Sequence, residues 1–512
     1  KEMKYVILSL ILAAFTTAHA QTSRNSVELS AIDSIFQFYC DPSEPGMAMG
    51  IVKDGEVIYK TTRGLADLSN NLSITDSTAF NIASVSKQFT AYLMLLAEKD
   101  GKLKLSDDIR KYLPELKHLP NKITIQQLAN HSHGLPNYSD LIQMIGFRLS
   151  SPISNDQAVP KILSVKHANF EPGTQYQYGN SGFILLAEIL KRIYEKPFPI
   201  LIDEKVFQPL KMNATSVIDN PNTIVKNKAF PYKWNGDSFE ESPSRQMEIG
   251  SNGIHTTLND MIKWAINFQN PSVGNQDQIG KLSKNTIAIT KTDDLAYGLG
   301  LYTETYKGLK TVFHGGGTAG YRAYIHHVPE HNFSIVILGN QEGFDALYVT
   351  YDILDLFFEE QFKEPVFDKT SYTEDELKEF EGTYRYQPGQ YWTFKADGGN
   401  LYFNGEHLPL VGDANFKFFL PLSSLTFHSD CMEFRIADML YPCERIDFNP
   451  PTLDKAQLKK FVGIYKNIEF NTFYEIVLIE NQLFAKHLTN GEIPLNPLGI
   501  IEEKIYPYKK RA

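Results

Sequence analysis

Ser84-Val85-Ser86-Lys87 places a hydroxyl and an amine three residues apart at the head of an apolar run, Gln88 to Ala97, that reads as a buried helix. Side chains three apart on a helix share a face, with Cβ atoms about 5–6 Å apart, so the Lys87 amine can reach the Ser84 hydroxyl. A serine hydroxyl is a weak nucleophile at neutral pH, and a neighbouring base that takes its proton turns it into an acylating one. The plainer alternative is an ordinary helix start, with a capping serine and a surface lysine. Tyr178-Gly179-Asn180 stands between the turn-forming Glu171-Pro172-Gly173-Thr174 and a helix through Tyr194 that Asn180 or Ser181 would cap. A phenol held near an ammonium can act as a general base, and an amide can anchor a substrate carbonyl while orienting the lysine. His314-Gly315-Gly316-Gly317 ends a predicted strand, and its small residues let a substrate backbone lie along the strand edge.

The elements that must carry these groups are legible around them. Ser26 to Tyr39 has helical spacing, and Gly46–Val52 and Val57–Thr61 flank Lys53-Asp54-Gly55-Glu56 as a hairpin. Leu103 to Gly182 is rich in turns and short helical runs, and Thr257-x-x-Asp260 caps a helix through Phe268. Strands return at Gly298–Thr303, Thr311–His314, Tyr321–Val328 and Phe333–Leu338, before a helix from Phe344 to Phe362. Strands at both ends with helices between them predict one sheet assembled from both termini and an inserted helical lobe. The expected fold class is therefore α+β, with a cleft between sheet and lobe.

From Ser371 onward the texture changes to short aromatic strands, and Leu377-Lys378-Glu379-Phe380-Glu381-Gly382-Thr383-Tyr384 reappears as Leu458-Lys459-Lys460-Phe461-Val462-Gly463-Ile464-Tyr465. Two related β-meanders, barrels or half-barrels, follow from the repeat. The expected organisation is a signal peptide over 1–20, a catalytic domain over 21–362, a linker over 363–376, and β units over 377–451 and 452–512. The second unit is shorter, and is either incomplete or shares strands with the first.

At 512 residues, 42% hydrophobic and 21% charged, the chain is long enough for two or three domains with ample cores. The apolar run Tyr5 to Phe15 after Lys4, followed by Ala18-His19-Ala20, reads as a cleavable signal peptide and is too short for a membrane anchor. A periplasmic or secreted protein with no membrane span is expected. The formal net charge of −10, with no stripe of lysine or arginine, argues against nucleic acid as a partner. Of three cysteines, Cys431 and Cys443 lie symmetrically about Ala437 and could face each other across a hairpin, while Cys40 is expected buried and reduced.

Two other patterns lead elsewhere. Gly315 to Gly320 fits G-x-G-x-x-G, but that fingerprint must open a helix and Tyr321 to Val328 alternates like a strand. His131 and His133 have no third ligand at a zinc-like spacing, and a structural turn is the expected reading. No metal or cofactor is called for.

In order, S-x-x-K, Y-x-N and H-x-G form a specific set. With Leu96 to Asp108, Leu128 to Pro136, Gly250 to Thr257 and Tyr297 to Leu301, the chain over about residues 28 to 362 resembles the serine β-lactamase and penicillin-binding-protein superfamily, in the branch of class C β-lactamases, D-alanyl-D-alanine carboxypeptidases, D-aminopeptidases and esterases. The resemblance implies an acyl-serine mechanism on small peptide, amide or ester substrates: Ser84 attacks, Lys87 and Tyr178 manage the proton, and Asn180 orients the substrate amide. Backbone N–H groups of Ser84 and Gly317, the latter beside Gly316, would hold the oxyanion. His314 stands where many relatives carry a lysine that recognises a carboxylate, which moves the expectation from β-lactam hydrolysis toward peptidase or esterase work. The alternative is a β-lactamase, or a slowly deacylating penicillin-binding sensor or scaffold with β-lactam acylation as its signature. The C-terminal region resembles the lipocalin-like β domains that follow such catalytic domains.

Overall fold

The computed structural model describes residues 30–147, 151–243, 247–284, 286–289, 295–344, 346–363, 367–387, 390–418, 423–436, 439–446, 453–467, 472–487 and 491–495. The proposed signal peptide and the last residues of the second β unit lie outside them. Among the described residues no helix is long and apolar enough to cross a membrane.

The N-terminal region is built on an eight-stranded antiparallel sheet. Its order is Ile287–Ala288, Leu295–Tyr297, Tyr302–Tyr306, Leu309–Thr318, Tyr321–Val328, Phe333–Gly339, Met47–Lys53 and Glu56–Arg63. The first long strand pairs with the last, Met47 opposite Gly339 through Lys53 opposite Phe333, so both ends of the region close one sheet as the sequence predicts. Asp54 and Gly55 turn the opening hairpin with positive φ, which these two residues tolerate better than most. Both faces are covered at the centre, so Met47–Lys53 and Phe333–Gly339 are buried almost throughout, whereas the edge strand Glu56–Arg63 is polar and partly exposed. Met47, Met49 and Ile51 pack toward the helices at 30–39 and Ala346–Phe358, whereas Ala48 and Val52 join the core of the Ser86–Lys99 and Leu258–Gln269 helices. The expected strand over Gly298–Thr303 is instead split by a turn at 298–301, because Gly298 and Gly300 press against the backbones of Leu282 and Lys87 with no room for a Cβ. The helical lobe carries Ile125–Ala129, Tyr138–Met144, Asn155–Leu163 and Ser181–Tyr194.

The C-terminal region is all β, a nine-stranded sheet followed by a four-stranded one. The edge strands of the larger sheet, Glu406–Leu408 and Leu410–Gly412, are adjacent in sequence, so the sheet curls into a nearly closed barrel around Tyr384, Phe394, Phe416, Phe427 and Phe434. The repeat is structural. Thr373 and Asp454 each cap a short helix in a capping box with Glu376 and Gln457, and the Tyr384 and Tyr465 hydroxyls each donate to the carbonyl four residues back, Phe380 and Phe461. Each meander keeps its own strands. Part of the expected linker is pinned to the barrel, since the Asp368 and Lys369 N–H groups donate to the Asp413 carboxylate.

The cysteine expectation is off by one residue. Register pairs Met432 with Cys443 and Cys431 with Glu444, so the two thiols project from opposite faces of the hairpin and are not bridged. Cys40 is buried and unbridged as expected.

Candidate active site

Ser84 sits on a tight turn, Ala83–Val85, that feeds the Ser86–Lys99 helix. Ala83 has φ +46°, an uncommon conformation for a residue with a side chain, and the Asn81 carboxamide oxygen stabilises it by accepting its N–H at 2.8 Å. Ser84 makes no cap hydrogen bond to the helix, which removes the capping-serine alternative. Its hydroxyl instead accepts from Lys87 Nζ at 2.9 Å.

Lys87 is completely buried, so it is no surface lysine. Its amine also donates to Asn180 Oδ1 at 2.9 Å and to the Ser251 carbonyl at 3.2 Å, and it lies 4.9 Å from the centre of the Tyr178 ring. Burial brings its pKa down to about 7, an effect opposed by the Glu248 carboxylate. A lysine poised there can take the Ser84 proton at neutral pH. Thr90 anchors the helix to the same loop by donating to the Gly250 carbonyl at 2.7 Å, which fixes the lysine stem.

Asn180 occupies the cap position of the Ser181–Tyr194 helix, but its side chain does not cap. The Asn180 oxygen is turned to Lys87, and its backbone N–H donates to Asn137 Oδ1 at 3.0 Å. Tyr178 and Asn180 thus meet the Ser84–Lys87 pair as the spacing of motifs suggested. His131, fully buried with φ +61°, sits among the rings of Tyr176, Tyr178, Phe183 and Tyr297, and burial holds its pKa well below the usual range. His133 Nδ1 accepts the Leu135 N–H at 2.9 Å, which locks the turn before Pro136. His131 packs the wall behind Tyr178 and Tyr297, whereas His133 lies against Gly182 at the head of the Ser181–Tyr194 helix. Among the described residues no cluster is built to hold a metal.

The Leu309–Thr318 strand passes beside the nucleophile turn. Its partner Tyr302–Tyr306 covers it only as far as Phe313, so among the described strands residues 314–318 pair on one side, with Tyr321–Ile325. The other edge of Gly315–Gly317 is therefore open for an extended substrate. Gly316 is packed so closely that a Cβ would lie 2.3 Å from the Ile82 carbonyl oxygen and 3.2 Å from Ser84 N. Gly316→Ala should therefore push the strand off the nucleophile turn, costing about 1–3 kcal/mol of stability and roughly 10²-fold in kcat/KM, readable by thermal melting and steady-state kinetics.

His314 is buried and neutral. Its Nδ1 is bonded to the Gly315 carbonyl and its Nε2 to the Tyr297 hydroxyl at 2.9 Å, which sets the tautomer with the proton on Nδ1. Burial first, then the nearby Lys87, pulls its pKa to about 3. The sequence placed His314 at the site but gave no sign that Tyr297 would occupy its second nitrogen. Glu248 was missed altogether, because a single glutamate in Met247-Glu248-Ile249-Gly250 carries no pattern. A cavity of about 650 Å³ joins these parts, lined among others by Ser84, Tyr178, His314, Gly317, Arg322, Glu342 and, from the C-terminal barrel, Tyr441.

Residues 32–356 match the family described as Beta-lactamase, and the chain belongs to that family of serine hydrolases. It is 31% identical over 304 residues to a D-aminopeptidase of Brucella anthropi, covering 58% of this chain and 56% of that protein. To a D-aminopeptidase of Cereibacter sphaeroides it is 29% identical over 300 residues, covering 58% and 57%. The chain spans little more than half the length of these curated relatives. Among solved structures, an octameric penicillin-binding protein homologue from Pyrococcus abyssi superposes with a TM-score of 0.57 at 20% identity over 91% of this chain and 97% of that one. D-amino acid amidase from Ochrobactrum anthropi gives 0.54 at 20% identity, covering 65% and 99%. Both share the fold.

Proposed function

We propose that this chain is an exported hydrolase that cleaves small amides through an acyl-Ser84 intermediate, with D-amino-acid peptides and amides as its favoured substrates and short esters as accessible ones. The observation that carries the reading is the 2.9 Å contact between Ser84 Oγ and a buried lysine amine poised near neutrality. Ser84 Oγ attacks the substrate carbonyl carbon as its proton passes to Lys87 Nζ. The oxyanion is held by the Ser84 and Gly317 N–H groups, and Asn180 orients the substrate amide while Gly316 keeps strand and turn together. Collapse breaks the C–N bond, and the leaving amine takes the proton from Lys87. Water, deprotonated by the same lysine, then hydrolyses the ester and frees Ser84. Tyr178 walls the amine in, its ring centre 4.9 Å from Lys87 Nζ, and is the second group that could manage the Ser84 proton.

Selectivity is read from charge. A neutral His314 with both nitrogens engaged offers no cation to a substrate carboxylate, and the Arg322 on the cavity wall has its Nη1 turned to the Ala319 and Tyr321 carbonyls, which together disfavour β-lactams and C-terminal carboxylates. Among the described cavity-lining residues Glu342 is the carboxylate, suited to a substrate ammonium. The D-aminopeptidase relatives support the same class. Tyr441 on the cavity wall gives the C-terminal barrel a place in substrate selection. Export rests on the apolar leader alone.

A panel of D- and L-aminoacyl amides, p-nitrophenyl esters and nitrocefin tests this. D-aminoacyl amides should exceed nitrocefin in kcat/KM by about 10²-fold or more, a transition-state difference of about 2.7 kcal/mol. Preferred hydrolysis of nitrocefin, or penicillin trapping without turnover of any substrate, would overturn it.

A further inference from the structure

Behind the catalytic lysine lies a carboxylate that the acyl-transfer steps do not use. Glu248 is 2% exposed, and its Oε1 has no hydrogen-bond partner. The loop it belongs to is the one that receives Lys87, through the Ser251 carbonyl, and Thr90, through the Gly250 carbonyl. Tyr138 is buried, its hydroxyl has no partner, and it feels the Glu248 charge. Its neighbour Asn137 holds the Asn180 backbone, so the two segments that fix Lys87 and Asn180 also bring Glu248 and Tyr138 together.

An unpaired buried carboxylate is costly and persists where an opposite charge or a function requires it. The titratable groups facing Lys87 are Tyr178 from the 176–180 loop, His131 from the turn after Ile125–Ala129, His314 from the sheet and Glu248 from the 247–253 loop. Both imidazoles are kept neutral by burial. Glu248 is the group whose charge favours the lysine's proton, and burial in turn lifts its own pKa to about 7.

We propose that Glu248 is the buried counter-charge of Lys87, a positioning residue that steadies the ammonium formed when the lysine takes the Ser84 proton and that never touches substrate. The inference rests on the acyl-serine reading. It adds that the acid limb of nucleophile activation belongs to a coupled Lys87–Glu248 pair, not to the lysine alone. Removing the carboxylate withdraws support from the ammonium, so Lys87 stays neutral to lower pH and the limb moves down.

The test is the pH dependence of Ser84 labelling by a fluorophosphonate, followed by intact mass, in the full-length wild type, Glu248→Gln, Glu248→Ala and Glu248→Asp. The Gln and Ala variants should move the acid limb down by about 0.5–1 unit, so that the rate at pH 6 relative to pH 8 rises about two- to fivefold. Glu248→Asp should keep it near the wild type. A limb unmoved in both neutral variants, each folded by thermal melt, overturns the proposal, as does loss of labelling at every pH in both, which is what a packing role would produce. A folded wild type that takes no label defeats the serine-hydrolase reading, and this inference with it.

Discussion

Ser84→Ala is expected to lower kcat for the best D-aminoacyl amide by roughly 10⁴- to 10⁶-fold, the scale of losing a nucleophile that acts as part of a unit. The side chain is small and partly exposed, and its contact with the core is the accepted Lys87 hydrogen bond, so the melting temperature should hold within a few degrees. Steady-state kinetics beside a thermal melt separates the two. A residual activity above about one per cent of wild type would mean that another group carries the acyl chemistry.

Lys87→Met is the second large effect. Kinetically it should cost roughly 10³- to 10⁵-fold, and the acid limb of kcat/KM near pH 7, which the coupled Lys87–Glu248 pair sets, should disappear. The sign follows from the base role: below that pH the lysine is protonated and cannot accept from Ser84, so wild-type activity falls about tenfold per unit. If the Tyr178 phenolate took the proton, the limb would survive the substitution. Stability gives an independent reading. The folded lysine titrates near 7 and the unfolded one near 10.5, so between those values the unfolded state binds the extra proton and stability rises with pH. Subtracting the Lys87→Met curve from wild type should leave a slope of about 1.4 kcal/mol per unit across that window, measured by denaturant unfolding; a flat difference would show that the lysine is not held near neutrality.

What could be read from the chain beforehand was whatever a local pattern encodes. Three-residue spacing brought Ser84 to Lys87, and turn residues Asp54-Gly55 set the opening hairpin; the strand expected to end at His314 exists but runs on through the glycines to Thr318. The repeat from Leu377 to Leu458 survived as equivalent caps and equivalent tyrosine hydrogen bonds. What escaped was decided by tertiary contact. Asn180 looks like a helix cap in sequence, yet a lysine ninety-three residues away claims its oxygen. Tyr297 occupies the second nitrogen of His314 from across two strands, and Gly300 must be small because the Lys87 backbone presses on it, which breaks an otherwise plausible strand. The cysteine pair failed on register: a shift of one residue sends the two side chains to opposite faces. Glu248 had no periodic or motif signal, and its meaning depends wholly on what surrounds it in the fold.

The central claim is that Ser84, activated by Lys87, forms a covalent acyl enzyme. Intact-mass spectrometry after incubation with a fluorophosphonate tests it most directly. The account predicts one adduct per chain, mapped to Ser84 by peptide sequencing, formed faster at pH 8 than at pH 6 and absent in Ser84→Ala. A folded wild-type protein that takes no adduct, or takes it on another residue, would contradict it.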